Sequence, residues 1–207
     1  GIIGVWLLVT AILWILGAPL AAVLFPNAPD RGLSFSLALI ASLFILVAYW
    51  IGHLSFTPIG IILSLLVIIT LAAIATRYSP DIPWKRGLEP ALVFLTTFSL
   101  MLFIRVADPG IYPSGGEKFL DFALLNTVIH TTTLPPVDPW FAGHPVRYYY
   151  GGHLLGAMLT EFTTTPPRIA YNLLIPWFYA TLATTTYGLS GWLVHNTANK
   201  YRTGGIL

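Results

Sequence analysis

The chain alternates long apolar stretches with short polar connectors, and only one of its polar stretches is long. Lipid offers no hydrogen-bond partner to backbone N–H and C=O groups, so a crossing segment must be a helix of about 20 apolar residues or part of a closed barrel. Five stretches reach that length: about Ile2 to Phe25, Leu33 to Leu54, Pro58 to Thr76, Glu89 to Ala107 and Pro167 to Val194. Thr57 and Pro58 supply an N-cap and a first-turn proline, where the missing N–H costs nothing, and Glu89-Pro90 and Thr165-Pro166-Pro167 repeat the device. Pro19 and Pro176 fall inside the first and fifth stretches and predict kinks. There is no repeat, coiled coil or low-complexity linker.

The long polar stretch, about 107–166, exceeds what a structureless connector in a compact protein would need and should carry elements of its own. It predicts two juxtamembrane helices, about Glu117 to Thr131 and about Tyr149 to Phe162, joined by a proline-rich turn. The first mixes Phe119, Phe122, Leu125 and Ile129 with Glu117, Asp121 and Asn126, an interfacial pattern. In the second, Gly152 and Gly156 would let another helix approach closely, which predicts a packed element. The expected fold is all-α: a polytopic integral membrane protein with about five transmembrane helices and two juxtamembrane surface helices. Residues 1–107 form a four-helix transmembrane region, 108–166 a loop holding the candidate active site, and 167–207 the fifth helix and a tail.

Composition agrees with the pattern. At 56% hydrophobic and 9% charged residues, the chain has too little polar surface to cover a water-soluble globule. A net charge of +2 without any Lys/Arg run leaves no electrostatic footprint for nucleic acid. The lack of cysteine excludes disulfides, thiolate metal sites and thiol nucleophiles. The hydrophobic start at Gly1 has neither the basic leader nor the cleavage site of a signal peptide, and the expectation is a portion of a longer polypeptide. Arg31, the 77–89 connector with Arg77, Lys85 and Arg86, and the tail with Lys200 and Arg202 should be cytoplasmic. That makes 108–166 an extracytoplasmic loop on a multi-pass plasma-membrane protein, although Arg105, Lys118, Arg147 and Arg168 at its edges and within it run against the charge rule.

Five of the eight acidic residues and three of the five histidines lie between 107 and 166, which makes this the credible place for a polar site. Glu117 and Asp121 stand four apart, so both project from one helix face and could share a metal ion or divide base and ligand work. Against that, Ser114 to Glu117 also reads as a capping box, with Glu117 bonding back to the helix start. Asp138 precedes Pro139, Trp140 and Phe141 and reads first as the opening of an Asx-type turn with interfacial aromatics. The run Tyr148, Tyr149, Tyr150 cannot face one way, so at least one ring should point into a cavity. Arg147 could meet a phosphate or simply Asp138. His130, His144 and His153 lack the spacing of a helical metal pair, while His153 could help to neutralise an anion. Lys118 and Asn172, with Tyr171, could reach the same site.

The string GGEKFLDFALLN, then PPVDPWFAGHPVRYYYGGH, then PPRIAYNL, over about residues 112–175, resembles the uncharacterised archaeal and bacterial membrane-protein family named for its Tyr-Tyr-Tyr (YYY) motif. That family is distantly similar to the C-type (GT-C) glycosyltransferases, polytopic enzymes that use polyprenyl-phosphate sugars. In those enzymes a span leads to an outer loop with an acidic motif, two juxtamembrane helices and a returning span, an order repeated here. The resemblance implies that Glu117 or Asp121 takes the place of the catalytic acid and that Asp138 and Arg147 belong to the site. Where those enzymes carry adjacent Asp and Glu, this chain has Gly116-Glu117.

Two functions follow as expectations. The first is a membrane glycosyltransferase in which Asp121, with Glu117 and Asp138, forms the catalytic group, and Arg147, Tyr148, Tyr149, Tyr150, His153, Lys118 and Asn172 bind a polyprenyl-phosphate-linked sugar. A divalent ion, Mg2+ or Mn2+, on Glu117 and Asp121 is an option in that scheme. The second is a non-enzymatic scaffold, lipid-binding or transport subunit of a larger assembly. Membrane lipid is a partner in both, together with further chains or the remainder of the polypeptide.

Overall fold

The computed structural model describes residues 1–79, 81–112 and 116–204, with side chains through residue 196. Among the described residues seven helices make up the fold: α1 Ile2–Leu24, α2 Ser36–Gly52, α3 Pro58–Thr76, α4 Leu88–Ala107, α5 Lys118–His130, α6 Gly151–Thr163 and α7 Pro167–Gly204. Among the described residues there is no strand, only an isolated antiparallel bridge between Val137 and Pro145. Short 3-10 turns, Leu33–Phe35 and Trp84–Gly87, lead directly into α2 and α4. The second turn moves the start of the fourth span ahead of the expected Glu89-Pro90 and leaves Pro90 in the first turn. The lengths of α1, α3, and α2 and α4 with their leading turns, together with their apolar composition, suffice to cross a membrane.

The expected fifth span differs from these four. α7 is a single helix of 38 residues, about 57 Å at 1.5 Å per residue, and so more than long enough to cross. It is less apolar than the four helices that are long and apolar enough to cross, Asn172, Pro176 and a run of threonines interrupting its apolar residues. The hydroxyls of Thr181, Thr184, Thr185 and Thr186 each donate to the carbonyl four residues back, at 2.8 to 2.9 Å, so the helix itself satisfies them. α7 runs along α4 as its main neighbour.

α1, α2 and α3 pack against one another, and α6 fills the space between that trio and α5 with α7. Leu154 through Thr160 are all buried, seven consecutive residues, so α6 is enclosed on every side. Gly156 makes this possible, because a Cβ there would come within 2.7 Å of Leu174 Cδ1 and 3.1 Å of Leu125 Cδ1. At Gly152 there is ordinary room, with Phe178 Cζ 3.7 Å from a Cβ. Two buried indoles tie α1 into the far end of the chain: Trp6 Nε1 donates to Thr165 Oγ1 at 3.0 Å and Trp177 Nε1 to Thr10 Oγ1 at 2.9 Å.

The helices alternate in direction, so the polar stretch gathers at one end with the start of α1, the α2–α3 turn, the end of α4 and the start of α7. Two backbone bonds fasten it there: Phe56 N donates to Thr132 O at 2.7 Å and Leu134 N to Gly52 O at 2.8 Å. At the opposite end lie the connectors with Arg31, Arg77, Lys85 and Arg86; Arg86 donates to the Pro29 carbonyl across the two connectors. The tail residues Lys200 and Arg202 continue α7, and their side chains lie outside the described residues.

Candidate functional site

Gly116 takes a left-handed backbone, φ +72°, and the helix cannot begin before it turns. α5 therefore starts at Lys118 with Glu117 as its N-cap residue, and that side chain makes no capping bond. The expected capping box needs Glu117 three residues inside the helix, which the structure does not place there; its other partner, Ser114, lies outside the described residues. The Glu117 carboxylate is left exposed beside the positive end of the α5 dipole, with Asp121 one turn further on.

Both carboxylates line one cleft of about 410 Å³ between α5, α6 and α7. Lys118, His153 and Tyr171 complete its polar rim, and Leu125, Leu174, Ile175 and Phe178 form an apolar wall that descends along α7. His153 reaches across from α6 to place Nε2 3.5 Å from Asp121 Oδ1, with 18% of its side chain exposed against 37% for Asp121. Burial pushes the His153 imidazole below its ordinary range, and the Asp121 carboxylate pulls back only in part. Its Nδ1 is buried without a hydrogen-bond partner. A neutral ring with its proton on Nε2, facing the carboxylate, leaves only a lone pair in that apolar position. Burial at this position works against the positive charge that neutralising an anion would draw on.

Lys118 is engaged with Asp108 at 3.7 Å. Tyr148 and Tyr149 stack with ring centroids 4.0 Å apart, and the Tyr148 hydroxyl donates to Tyr149 at 2.7 Å. This bond, followed by partial desolvation and the nearby charges of Tyr149, Glu117 and Asp121, pushes Tyr148 up to about 12. Tyr150 turns the other way into the core, facing Tyr49 at 6.4 Å between centroids. Tyr148 thus lies within electrostatic range of the two cleft carboxylates.

Other sequence candidates stand apart. Asp138 Oδ1 accepts the Trp140 and Phe141 amides at 2.8 and 3.0 Å, shaping the turn that the Val137–Pro145 bridge closes. Arg147 is exposed and makes no ion pair among the described residues, with Asp138 or any other carboxylate. His130 Nδ1 bonds to its own helix at Asn126 O, 2.8 Å away, and His144 packs on Phe141. Among the described residues no three His, Asp or Glu side chains gather to hold a metal ion. Glu117 and Asp121 alone would suit Mg2+ or Mn2+ only where a substrate phosphate completed the coordination.

One residue of interest escaped the sequence reading as a site residue. Arg105, near the end of α4, is 8% exposed, and its Nε donates to Asn172 Oδ1 at 3.1 Å, with Nη2 donating to the same oxygen. A lone arginine ending an apolar span was the available signal, since ionisable groups at such depth turn inward toward a partner or a pathway.

The helices of the described residues, four of them long and apolar enough to cross a membrane, define a polytopic helical membrane protein with a polar cleft at one end of the bundle. Residues 43–207 match the family described as uncharacterized membrane protein (DUF2298), and the chain belongs to that family. No curated protein matches the chain, and no solved structure matches it either.

Proposed function

We propose that this chain carries the acidic site of a membrane glycosyltransferase, GT-C-like in its order of elements, which transfers a sugar from a polyprenyl-phosphate donor at the outer face of the plasma membrane. The observation that carries this reading is the pairing of two carboxylates, Glu117 and Asp121, with an apolar wall of Leu125, Leu174, Ile175 and Phe178 in one cleft at the end of the spans. A donor of this class has a polar sugar phosphate joined to a hydrocarbon tail. The lipid holds the phosphate at headgroup depth, and a cleft that is polar at its rim and apolar below matches that division.

In the reaction, an acceptor hydroxyl oxygen bonds to the anomeric carbon while the bond from that carbon to the phosphate oxygen breaks. The hydroxyl proton passes to the Asp121 carboxylate, and the polyprenyl phosphate leaves with the bonding electrons. His153 holds Asp121 by donating from Nε2, and Lys118 offers positive charge at the rim. Tyr148 stays protonated and is available as a hydroxyl donor to sugar or phosphate.

Membranes containing the complete protein, incubated with labelled polyprenyl-phosphate sugars and a hydroxyl acceptor, should yield a labelled product that Asp121→Asn membranes make at about 10²- to 10⁴-fold lower rate. Transfer at the unmutated rate by a folded Asp121→Asn protein would remove this role for Asp121. Failure of all labelled donors with the intact protein would leave the lipid-binding or scaffold function as the reading to pursue.

A further inference from the structure

The segment that joins α5 to α6 is tied down at both ends and presents a rigid tip between them. On its way in, Leu134 is buried with its N–H donating to the Gly52 carbonyl at the end of α2, and a Cβ on Gly52 would come within 2.5 Å of Leu134 Cδ1. On its way out, Tyr150 is buried against Tyr49 of the same helix. Between these anchors the backbone doubles back: Asp138 N donates to His144 O at 2.8 Å and Val146 N to Pro136 O at 2.9 Å, and His144 N closes the turn on Phe141 O at 3.2 Å.

What this hairpin holds outward is apolar. Val137, Trp140 and Phe141 are each more than half exposed, while Pro136 and Val146 at its root are buried. The one carboxylate of the tip, Asp138, already accepts the Trp140 and Phe141 amides. A tip bonded in this way gives up little backbone hydrogen bonding when it leaves water, and three large apolar side chains gain by leaving.

The level of the anchors identifies the phase that receives them. Tyr49, Trp50 and His53 cluster at the end of α2, with ring centroids 4.6 to 6.1 Å apart, and Trp50 and the adjoining Leu54 are exposed. Aromatic residues at the end of an apolar span mark headgroup depth, and both anchors meet α2 there. At the tip, Trp140 stands edge to face with Phe119 on the first turn of α5, centroids 6.0 Å apart. Arg147, directly behind the hairpin, is exposed and forms no ion pair among the described residues, which leaves its guanidinium for phosphate oxygens.

We infer that the 136–146 hairpin is a membrane-inserting tip: Val137, Trp140 and Phe141 enter the boundary between headgroups and acyl chains of the bilayer that the spans cross, with Arg147 at its phosphates. The adjoining spans already lie in that bilayer, and the tip extends their contact from the end of α2 to the start of α5. It thereby holds α5 and α6, which it joins, at headgroup depth. This inference stands without the sugar-transfer reading.

The chain has no cysteine, so Phe141→Cys gives an NBD probe a single point of attachment. The labelled protein is reconstituted in phosphatidylcholine vesicles and quenched either with doxyl-labelled phosphatidylcholine or with aqueous iodide. Leu66→Cys, on the exposed face of α3, is the lipid reference, and free NBD-cysteine is the water reference. Expected are blue-shifted emission at position 141, doxyl quenching close to that of Leu66→Cys, and iodide quenching well below that of the free probe. Because the probe is itself apolar, Val137→Cys is labelled as well, alone and together with Trp140→Ser and Phe141→Ser. The triple variant should lose most of the doxyl quenching while its thermal unfolding midpoint changes little, since both aromatic side chains are exposed. Iodide quenching at position 141 equal to that of the free probe puts the tip in water and overturns the inference. Protection from both quenchers overturns it in favour of a tip covered by protein, a second copy or another partner. Doxyl quenching retained in the triple variant overturns it too, because the aromatic side chains would then not be what holds the tip in lipid.

Discussion

The Asp121 carboxylate and the His153 imidazole, carried by the adjacent helices α5 and α6, stand 3.5 Å apart at the rim of the cleft. Asp121 is half-buried against this partner, whereas Glu117 is exposed at the helix start with no capping bond. The two carboxylates therefore divide unequally. Glu117→Gln should slow sugar transfer by less than about tenfold, since it removes only a screened charge, while Asp121→Asn should cost about 10²- to 10⁴-fold. Rates measured on both variants in the same membranes decide this, and a larger loss in Glu117→Gln would reverse the assignment.

The same pair gives the protein an acid-sensitive joint. An unfolded histidine binds a proton below about pH 6.5, but burial lowers the folded value of His153, so the folded state refuses that proton. The unfolded state then binds more protons, and stability falls as pH drops from about 6.5 toward the lowered folded value, levelling off beneath it. Thermal unfolding in detergent between pH 7.5 and 5 should show this decline, and His153→Gln, which can still donate to Asp121, should reduce it. A protein that grew more stable on acidification through this range would mean a charged ion pair instead of a neutral donor.

Local signals carried the helices, and long-range placement decided the site. Pro58 and the length of the apolar run gave α3 its bounds, Pro58–Thr76, because a first-turn proline acts within one turn; Thr57 stands at the N-cap position with its hydroxyl bonded to Ser55 rather than to the helix. Spacing along one helix also sufficed to put Glu117 and Asp121 on one side of α5. It could not show that Gly116 would turn left-handed and delay the helix, which depends on a backbone conformation rather than on periodicity. Nor could it pair Arg105 with Asn172, 67 residues apart, since that contact exists only because α7 returns along α4. Asp138 shows the converse: its two amide bonds lie within three residues, and the Asx-turn reading of the sequence already contained them.

α1 and α2 approach so closely at Gly17 that a Cβ there would stand 2.3 Å from the Ser36 carbonyl oxygen, a backbone atom that cannot swing aside. At Gly156 the nearest obstacles are the Cδ1 atoms of Leu174 and Leu125, which can change rotamer. Gly17→Ala should therefore cost about 3 kcal/mol, near the upper end of overpacking penalties, and Gly156→Ala about 1 kcal/mol. Denaturation of the two variants in mixed micelles would rank them, and equal losses would contradict the backbone argument. Gly156→Ala should also disturb the cleft, because Leu125 and Leu174 are part of its wall.

Trp6 carries the start of α1 against the junction of α6 and α7, 1% exposed, with Nε1 donating to Thr165 Oγ1 at 3.0 Å. Replacing it with phenylalanine removes one buried hydrogen bond and part of a large packed ring. The Thr165 hydroxyl keeps its 2.7 Å bond to Thr163 Oγ1, so it is not left wholly without a partner, and the cost should be about 1–2 kcal/mol instead of the larger penalty of an orphaned group. Removing both supports, in Trp6→Phe with Thr163→Val, should exceed the sum of the single losses, because the buried Thr165 hydroxyl would then keep only its long, 3.5 Å bond to the Thr163 carbonyl. A double-mutant cycle followed by thermal unfolding measures that excess. Strict additivity would show that Thr165 finds another partner when Trp6 is gone, and that the junction leading into α7 does not depend on this indole.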